Sequence, residues 1–292
     1  MTHQRHDAPV LVLGSTGQLG SLLRHHWRDR QNVVWQARRP GAVPALVWSA
    51  QDDLKDLTRR LPRARAVVAL WGVVAGQADA LAANRALALR AIEIARATGA
   101  GRVLHCSSAA VYRPGPDPLP ETAIPAPVNA YGQAKLEMEQ AIAAEQNRMA
   151  QGPQNIIMRI GNVIGADSLS RAMMQARRCG TAVTLDRFAD GTGPRRSFLA
   201  GADLARCIAR LVDGPVNILP PVINLAASSA TAMADLVRHA GLEPDWRRAP
   251  ATAVPLVELD TARLHQCIGQ TEISADPLHL MSDWSPTCGW LR

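Results

Sequence analysis

Tyr131 and Lys135 stand four positions apart in the run Tyr131-Gly132-Gln133-Ala134-Lys135. On a helix, that spacing puts a phenol and an ammonium on one face, one turn apart. The lysine charge favours a phenolate, so the pair is expected to pull the Tyr131 pKa down from about 10 toward the range of a proton-transfer group. Upstream, Ser107-Ser108-Ala109-Ala110-Val111-Tyr112 follows the strand-like run Val103-Leu104-His105-Cys106 and brings hydroxyls to the end of a strand. Near the start, Gly14-Ser15-Thr16-Gly17-Gln18-Leu19-Gly20 follows the apolar run Val10-Leu11-Val12-Leu13. Glycines there permit a tight turn and let the backbone approach a pyrophosphate. The helix that follows supplies free N–H groups and the positive end of its dipole. The glycine spacing is G-x-x-G-x-x-G, not the G-x-G-x-x-G of the standard fingerprint. Together the three segments read as an enzyme that moves a proton beside a bound dinucleotide.

The elements that must position these groups alternate along the first half of the chain. Strand-like runs at 10–13, 33–37, 45–48, 66–71, 102–107 and 155–160 are rich in Val, Leu and Ile and lack in/out alternation, as strands buried on both faces do. Amphipathic segments at 18–29, 52–61, 78–98 and 131–149 lie between them. This order predicts an α/β fold with a doubly wound parallel Rossmann sheet and right-handed crossovers. Beyond Gly165 the pattern loosens into helices at 168–178, 203–212 and 232–240 and short strands at 183–185 and 222–225. Residues 1–165 therefore read as a dinucleotide-binding Rossmann domain, and 166–292 as a smaller C-terminal α/β substrate lobe. Returning segments are expected to make the boundary discontinuous. The proline-rich segment 113–127 is expected to form an extended loop over the site.

Composition narrows the class. The chain has 292 residues, is 47% hydrophobic and carries 20% charged residues, which suits a sizeable core and excludes a disordered composition. Its net charge is +7, but the arginines are scattered in ones and twos rather than gathered in a basic tract, which argues against nucleic-acid binding. Five cysteines without a CxxC pair suit free thiols in a reducing compartment, and the histidines have no metal-ligand spacing. The polar start shows no apolar leader, and the longest apolar run, 66–76, is about half of what a bilayer needs. A cytoplasmic protein with no membrane partner and no bound metal is the expectation. Trp35, Trp48 and Trp71 fall in strand-like runs and read as core, while Trp284 and Trp290 lie in a tail that could pack on a neighbour.

The second strand decides the cofactor. An acidic residue at its end favours NAD, and an arginine accommodates the extra phosphate of NADP. Here Val33-Val34-Trp35-Gln36-Ala37 leads into Arg38-Arg39 with no carboxylate. NADP is thus expected in preference to NAD, with Arg38 and Arg39 as its phosphate contacts.

In their order, the motifs GSTGQLG at 14–20, SSAAVY at 107–112, YGQAK at 131–135 and RIGNVIG at 159–165 resemble the extended short-chain dehydrogenase/reductase family, in its NAD-dependent epimerase/dehydratase group. Weaker echoes are RRSFLAGADLA at 195–205, VINLA at 222–226 and LDTARL at 259–264. The resemblance implies catalytic roles for Ser108, Tyr131 and Lys135: Tyr131 as acid/base, Lys135 lowering its pKa and holding the nicotinamide ribose, and Ser108 bonding the reacting oxygen. It implies cofactor contacts from Gly14, Thr16, Gly17, Gln18, Leu19, Gly20 and Gly72. Ser107 would keep at best a backbone or cofactor role, and Asn84 either a cofactor-side, structural or N-cap-like one. Asn162 and Arg196 match substrate positions that contact a sugar nucleotide, and Arg248 is a further phosphate candidate.

The reaction implied is hydride transfer at a sugar carbinol or ketone. Dehydratases of the group carry Asp and Glu after the catalytic hydroxyl, where this chain has Ala109 and Ala110, so elimination is not expected. Three readings follow: a sugar-nucleotide epimerase with a resident cofactor, an NADP-linked reductase of a small ketone, and a silent dinucleotide-binding sensor. Relatives often dimerise through the Tyr/Lys helix and the one before it. The Ala-Leu stripe at 80–97 fits such a homodimer and fits core packing equally.

Overall fold

The computed structural model describes residues 8–41, 44–149, 151–215, 219–269, 273–282 and 284. In chain order its elements begin with β1 (Val10–Leu13), α1 (Gln18–His26), β2 (Val33–Ala37), β3 (Leu46–Val47), α2 (Leu54–Arg60) and β4 (Ala66–Ala69). There follow α3 (Ala78–Ala97), β5 (Arg102–Ser108), a 3-10 turn at Ala109–Val111, α4 (Ala130–Arg148) and β6 (Gln154–Ile160). The remainder comprises β7 (Asn162–Val163), α5 (Ser168–Cys179), β8 (Val183–Arg187), β9 (Arg195–Leu199), α6 (Gly201–Asp213) and β10 (Val222–Leu225). It ends with β11 (Ala230–Ala232), α7 (Met233–His239), β12 (Pro244–Arg248), β13 (Leu256–Val257), α8 (Ala262–Ile268) and α9 (Pro277–Met281).

Because β1 and β4 are apolar at every position, both faces of each strand must be covered. They lie side by side in a parallel seven-stranded sheet of order β10-β6-β5-β4-β1-β2-β3. Val10 and Val12 face a core built with α1, α6 and α8, through Leu22, Leu204, Ile208 and Leu264. Leu11 and Leu13 face the opposite core with Leu57 of α2 and Ile94 of α3. Strand order reverses between β1 and β4, and a crevice opens above the carboxyl ends of strands at such a point. The glycine-rich loop and the loop of Trp71 and Gly72 leave the sheet there.

A second, smaller core joins Met173 of α5, Leu185 of β8, Phe198 of β9, Leu236 of α7 and Leu280 of α9. Its strands form two small sheets, β11-β9-β13 with β7 paired to β9, and β12 with β8. The run at 222–225 does not stay with this core. As β10 it completes the edge of the large sheet on β6, and α6 likewise packs on α1.

Several expectations change in three dimensions. The strand expected at 66–71 ends at Ala69, so Trp71 leaves the sheet half-buried instead of lying within it. The proline-rich segment is tied to the 258–260 stretch by Leu119 N–H on the Glu258 carbonyl (2.8 Å) and Asp260 N–H on the Leu119 carbonyl (3.0 Å). No residue of 113–127 is among those lining the cleft with Tyr131. The stripe on α3 is spent in the core, with Ala88 and Ile92 against Met138 and Ile142 of α4. Trp284 packs on the second core, its ring 5.6 Å from the Arg177 guanidinium. Trp290 and Cys288 lie outside the described residues. No helix among the described residues is long and apolar enough to cross a membrane.

His105, buried on β5, shares a hydrogen bond of 3.0 Å with the Asn155 Oδ1 across the sheet. Burial pushes its pKa down to about 4, helped by the Lys135 charge and opposed by the Asn155 bond. The unfolded chain takes up this proton near 6.5 and the folded chain only near 4. Stability is therefore fully present above 6.5 and is lost as pH falls toward 4, by up to about 3 kcal/mol from this group. Urea midpoints should fall from neutral to mildly acidic pH, and His105→Gln should flatten that slope; an unchanged slope would rule His105 out.

Candidate active site

Asn129 starts α4 by accepting the Gly132 N–H at 2.8 Å, an N-cap one residue before the helical Ala130-Tyr131. Gly132 then rests on the turn after β5, where a Cβ would come within 2.1 Å of the Ala110 carbonyl oxygen. Glycine thus lets the helix seat directly on the strand end. Ser108 caps the 3-10 turn by accepting the Ala110 N–H at 3.2 Å. Its hydroxyl also lies near enough to the Tyr131 phenol to favour the ionised form. Lys135, 2% exposed, donates from Nζ to the Cys106 carbonyl at 2.8 Å, with Nζ 5.8 Å from the centroid of the Tyr131 ring.

Ser108, Tyr131, Lys135 and Asn162 line one cleft of about 470 Å³, which they share with Gly17, Gln18, Leu19 and Gly72. A second cleft of about 990 Å³ continues over Gly14, Thr16, Gly17, Gln36, Arg38 and Gly72. Gly17, Trp71 and Gly72 border both. The chain thus joins the glycine-rich loop to the Tyr131 region by one continuous groove.

The glycines divide into separate jobs. Gly14 has φ +79°, and a Cβ on it would lie 2.6 Å from the Trp71 nitrogen. A Cβ on Gly20 would meet the Gly14 carbonyl oxygen at 2.2 Å, so Gly20 seats α1 on its own loop and stays out of both clefts. A Cβ on Gly17 would approach only the Gly14 oxygen, at 3.4 Å, and otherwise point into open space. Gly17 is the N-cap of α1 and makes no side-chain cap, so the first-turn N–H groups are left to a ligand. This cradle fits a dinucleotide pyrophosphate. At Gly72, a Cβ would stand 2.8 Å from the Asn84 Oδ1 and 3.4 Å from the Lys135 Nζ, so its absence keeps the ammonium accessible.

Asn84 is neither an N-cap nor a wall of the cleft. Buried within α3, it accepts the Val73 N–H at 3.1 Å and donates to the Val73 carbonyl at 2.9 Å, fixing the loop after β4. Arg38 borders the larger cleft, and Arg39 lines an adjoining one with Arg24 and Arg28 that shares Thr16 and Ala37 with it. Arg196 is engaged by backbone: it donates to the Val254 carbonyl at 2.8 Å and the Arg195 carbonyl at 2.8 Å, and borders neither part of the groove. Arg248 is exposed on β12.

Among the further residues that line the groove are Trp71, Cys106, Ser107 and Asp167. Gln36 supports it from below, accepting the Gly14 N–H at 2.9 Å and donating to the Trp48 carbonyl. A lone amide in an otherwise apolar strand was the available signal for Gln36.

The electrostatics differ from the sequence expectation. Burial raises the Tyr131 pKa above that of a free phenol; the nearby Cys106 thiol adds to this and the Ser108 hydroxyl opposes it. Lys135 does not reverse the shift. Its ammonium is committed to a carbonyl and stands almost 6 Å from the ring, and burial lowers its own pKa, against the pull of Cys106 and Glu139. Removing water from a phenol costs its charged form more than one charge at that separation returns.

A doubly wound sheet with a glycine loop at its switch point, running into a Ser/Tyr/Lys cleft, defines a dinucleotide-dependent enzyme class. The chain belongs to the NAD dependent epimerase/dehydratase family, which it matches over residues 10–226. A UDP-glucose 4-epimerase of Azospirillum brasilense is 32% identical over 189 residues, which make up 59% of this chain and 54% of that protein. The match thus spans about half the length of that curated relative. Among solved structures, MoeE5 in complex with UDP-glucose and NAD has a TM-score of 0.77 at 23% identity, over 94% of this chain and 96% of that one. TunA, an NAD dependent NDP-hexosamine 5,6-dehydratase, has a TM-score of 0.74 at 20% identity, again over 94% and 96%. At such identities the likeness is one of fold.

The glycine geometry separates folding from binding. Gly17→Ala should keep the melting temperature and weaken NAD binding at least 10-fold, because its Cβ enters the cradle. Gly20→Ala should cost about 1–3 kcal/mol of stability, because its Cβ overpacks the loop. Thermal melts and NAD titrations of both proteins check this; a Gly17→Ala protein that binds NAD normally would remove the cradle.

Proposed function

We propose that this chain is an NAD(P)-dependent epimerase or oxidoreductase that transfers hydride at a sugar carbinol, with a sugar nucleotide as substrate. The observation that carries this reading is the shared cleft in which Ser108, Tyr131, Lys135 and Asn162 face the end of the glycine cradle. We take residues 1–165 as chiefly the cofactor part and 166–292 as chiefly the substrate part, with α6, β10 and α8 returning to the former.

When bound, the dinucleotide supplies the hydride acceptor and donor. Tyr131 takes the hydroxyl proton as the carbinol is oxidised and returns it when the ketone is reduced. Burial favours its protonated form, the one that donates to the ketone. Ser108 hydrogen-bonds the same substrate oxygen and steadies the charge that develops on it. Lys135, held by the Cys106 carbonyl beside Gly72, keeps a positive charge next to the phenol. Asn162 contributes an amide to the sugar side of the cleft.

For dehydration, the acid that dehydratases of the group carry after the catalytic hydroxyl is missing here. Ala109 and Ala110 bring no carboxyl group, and among the described residues lining the cleft the carboxylate is Asp167. Both its oxygens are spent on Ser170, on the backbone N–H at 3.0 Å and the hydroxyl at 2.8 Å.

The alternative, an NADP-linked reductase of a small ketone, draws on two observations. Arg38 borders the cleft where a ribose phosphate would lie, and Arg196 is tied to backbone carbonyls rather than free for a substrate diphosphate.

Tyr131→Phe should abolish turnover of UDP-glucose or UDP-galactose and leave NAD binding intact; substantial residual activity would dismiss Tyr131 as the acid/base. Denaturing the purified protein and identifying the released dinucleotide separates the two readings. Stoichiometric NAD⁺ supports the epimerase. An empty site that prefers NADPH supports the reductase, and Arg38→Asp should then weaken NADP binding about 10-fold more than NAD binding.

A further inference from the structure

Four motif residues with no place in the proposed chemistry meet in one buried network. Ser107, Arg159 and Asn224 form a row across β5, β6 and β10, since Ser107 pairs with Arg159 and Arg159 with Asn224 in register. Glu139 of α4, one turn beyond Lys135, closes over that row. Its Oε1 accepts the Ser107 hydroxyl at 2.5 Å. The Arg159 guanidinium binds both its carboxylate oxygens, at 2.7 Å to 3.2 Å, and both side chains are 5% exposed. From its other nitrogen Arg159 donates to the Tyr112 hydroxyl at 2.9 Å, and Tyr112 donates to Asn224 Oδ1 at 2.8 Å. Asn224 then donates to the carbonyls of Leu119 (2.8 Å) and Asp260 (2.9 Å), while Glu121 accepts its backbone N–H at 2.8 Å.

This network adjoins the Tyr131 cleft, with Ser107 in the cleft wall and Glu139 and Arg159 behind it. Ser107 immediately precedes Ser108, and Glu139 shares a helix face with Tyr131 and Lys135. One carboxylate therefore ties the end of β5 to the helix that carries the phenol and the ammonium. Stability alone does not call for a charged pair here, because buried ion pairs are often replaced by apolar groups without loss.

We propose that Glu139 and Arg159 are positioning residues: together they fix the height of Ser108 against Tyr131 and Lys135, with Ser107, Tyr112 and Asn224 as the outer ligands of the pair. The kinetic part of this inference rests on the function proposed above. Misplacement of a catalytic group by about an ångström can cost about 100-fold in rate.

The test compares Glu139→Gln and the double variant Glu139→Leu/Arg159→Met with the wild-type protein. Glu139→Gln leaves an uncompensated guanidinium and should lower the melting temperature, and the double variant should restore it. Positioning predicts that the double variant still turns over UDP-glucose about 100-fold more slowly, at unchanged KM and unchanged NAD affinity. Recovery of kcat together with the melting temperature would overturn it.

A second readout needs no substrate. The chain has two tyrosines, so the phenolate absorbance of each NAD-loaded protein minus that of its Tyr131→Phe counterpart isolates Tyr131. Tyr131 should ionise at a different pH in the double variant than in the wild type; identical titrations would overturn the proposal. A wild-type protein inert toward sugar nucleotides would defeat the functional reading alone, and this titration would still decide the positioning. Should the double variant not fold, Ser107→Ala removes a single hydroxyl: a lower kcat and a moved titration support the proposal, and wild-type values of both defeat it.

Discussion

Everything in the cleft depends on how closely α4 seats on the end of β5. The contact is backbone against backbone at Gly132 and Ala110, a distance that any side chain at 132 would prevent. Once that approach is made, Asn129 sets where the helix begins, and the positions of Tyr131 and Lys135 follow from the helical repeat. Lys135 then reaches back to the Cys106 carbonyl and so bonds the helix to the strand a second time. The parallel sheet beneath is what keeps the strand end fixed, since β5 is flanked on both sides by β4 and β6.

The same closeness sets the electrostatics. A helix pressed onto a strand end excludes water, and water is what lowers the cost of a phenolate or an ammonium. Tyr131 is accordingly shifted up and Lys135 down, each toward its neutral form. The Glu139 carboxylate, which favours the Lys135 ammonium, partly offsets the burial of the lysine from one turn below. Burial and network charge act against each other here, so the carboxylate is more than a structural tether.

The large sheet was legible because its strands obey a strong rule. Strands covered on both faces read as unbroken apolar runs, and those at 10–13 and 33–37 correspond to β1 and β2 without adjustment. The short strands of the second core follow a weaker rule. In β8 and β9, buried positions alternate or cluster beside arginines, so the apolar run that marks a buried strand is missing although Arg195-Arg196 opens one. That β10 would leave its sequence neighbours and join β6 depends on long-range packing and has no local signature. For the site, residue types and spacing brought Ser108, Tyr131, Lys135 and the glycine loop into one groove. The direction of the Tyr131 shift was not legible, because spacing reports proximity and says nothing of desolvation. Nor was the job of Ser107, whose partner Glu139 is distant in sequence and meets it only through the fold.

Two arginines show how far residue type can mislead about a ligand. Arg196 stands at a position expected to meet phosphate, yet its guanidinium is braced by the carbonyls of Val254 and Arg195. Those bonds use part of its five N–H donors and fix the direction in which the rest can point. Arg38 is placed the other way: it is exposed, on the rim of the larger cleft. The two guanidiniums thus differ in their surroundings: Arg38 stands in solvent at the rim of the larger cleft, and Arg196 is braced against the backbone before β13.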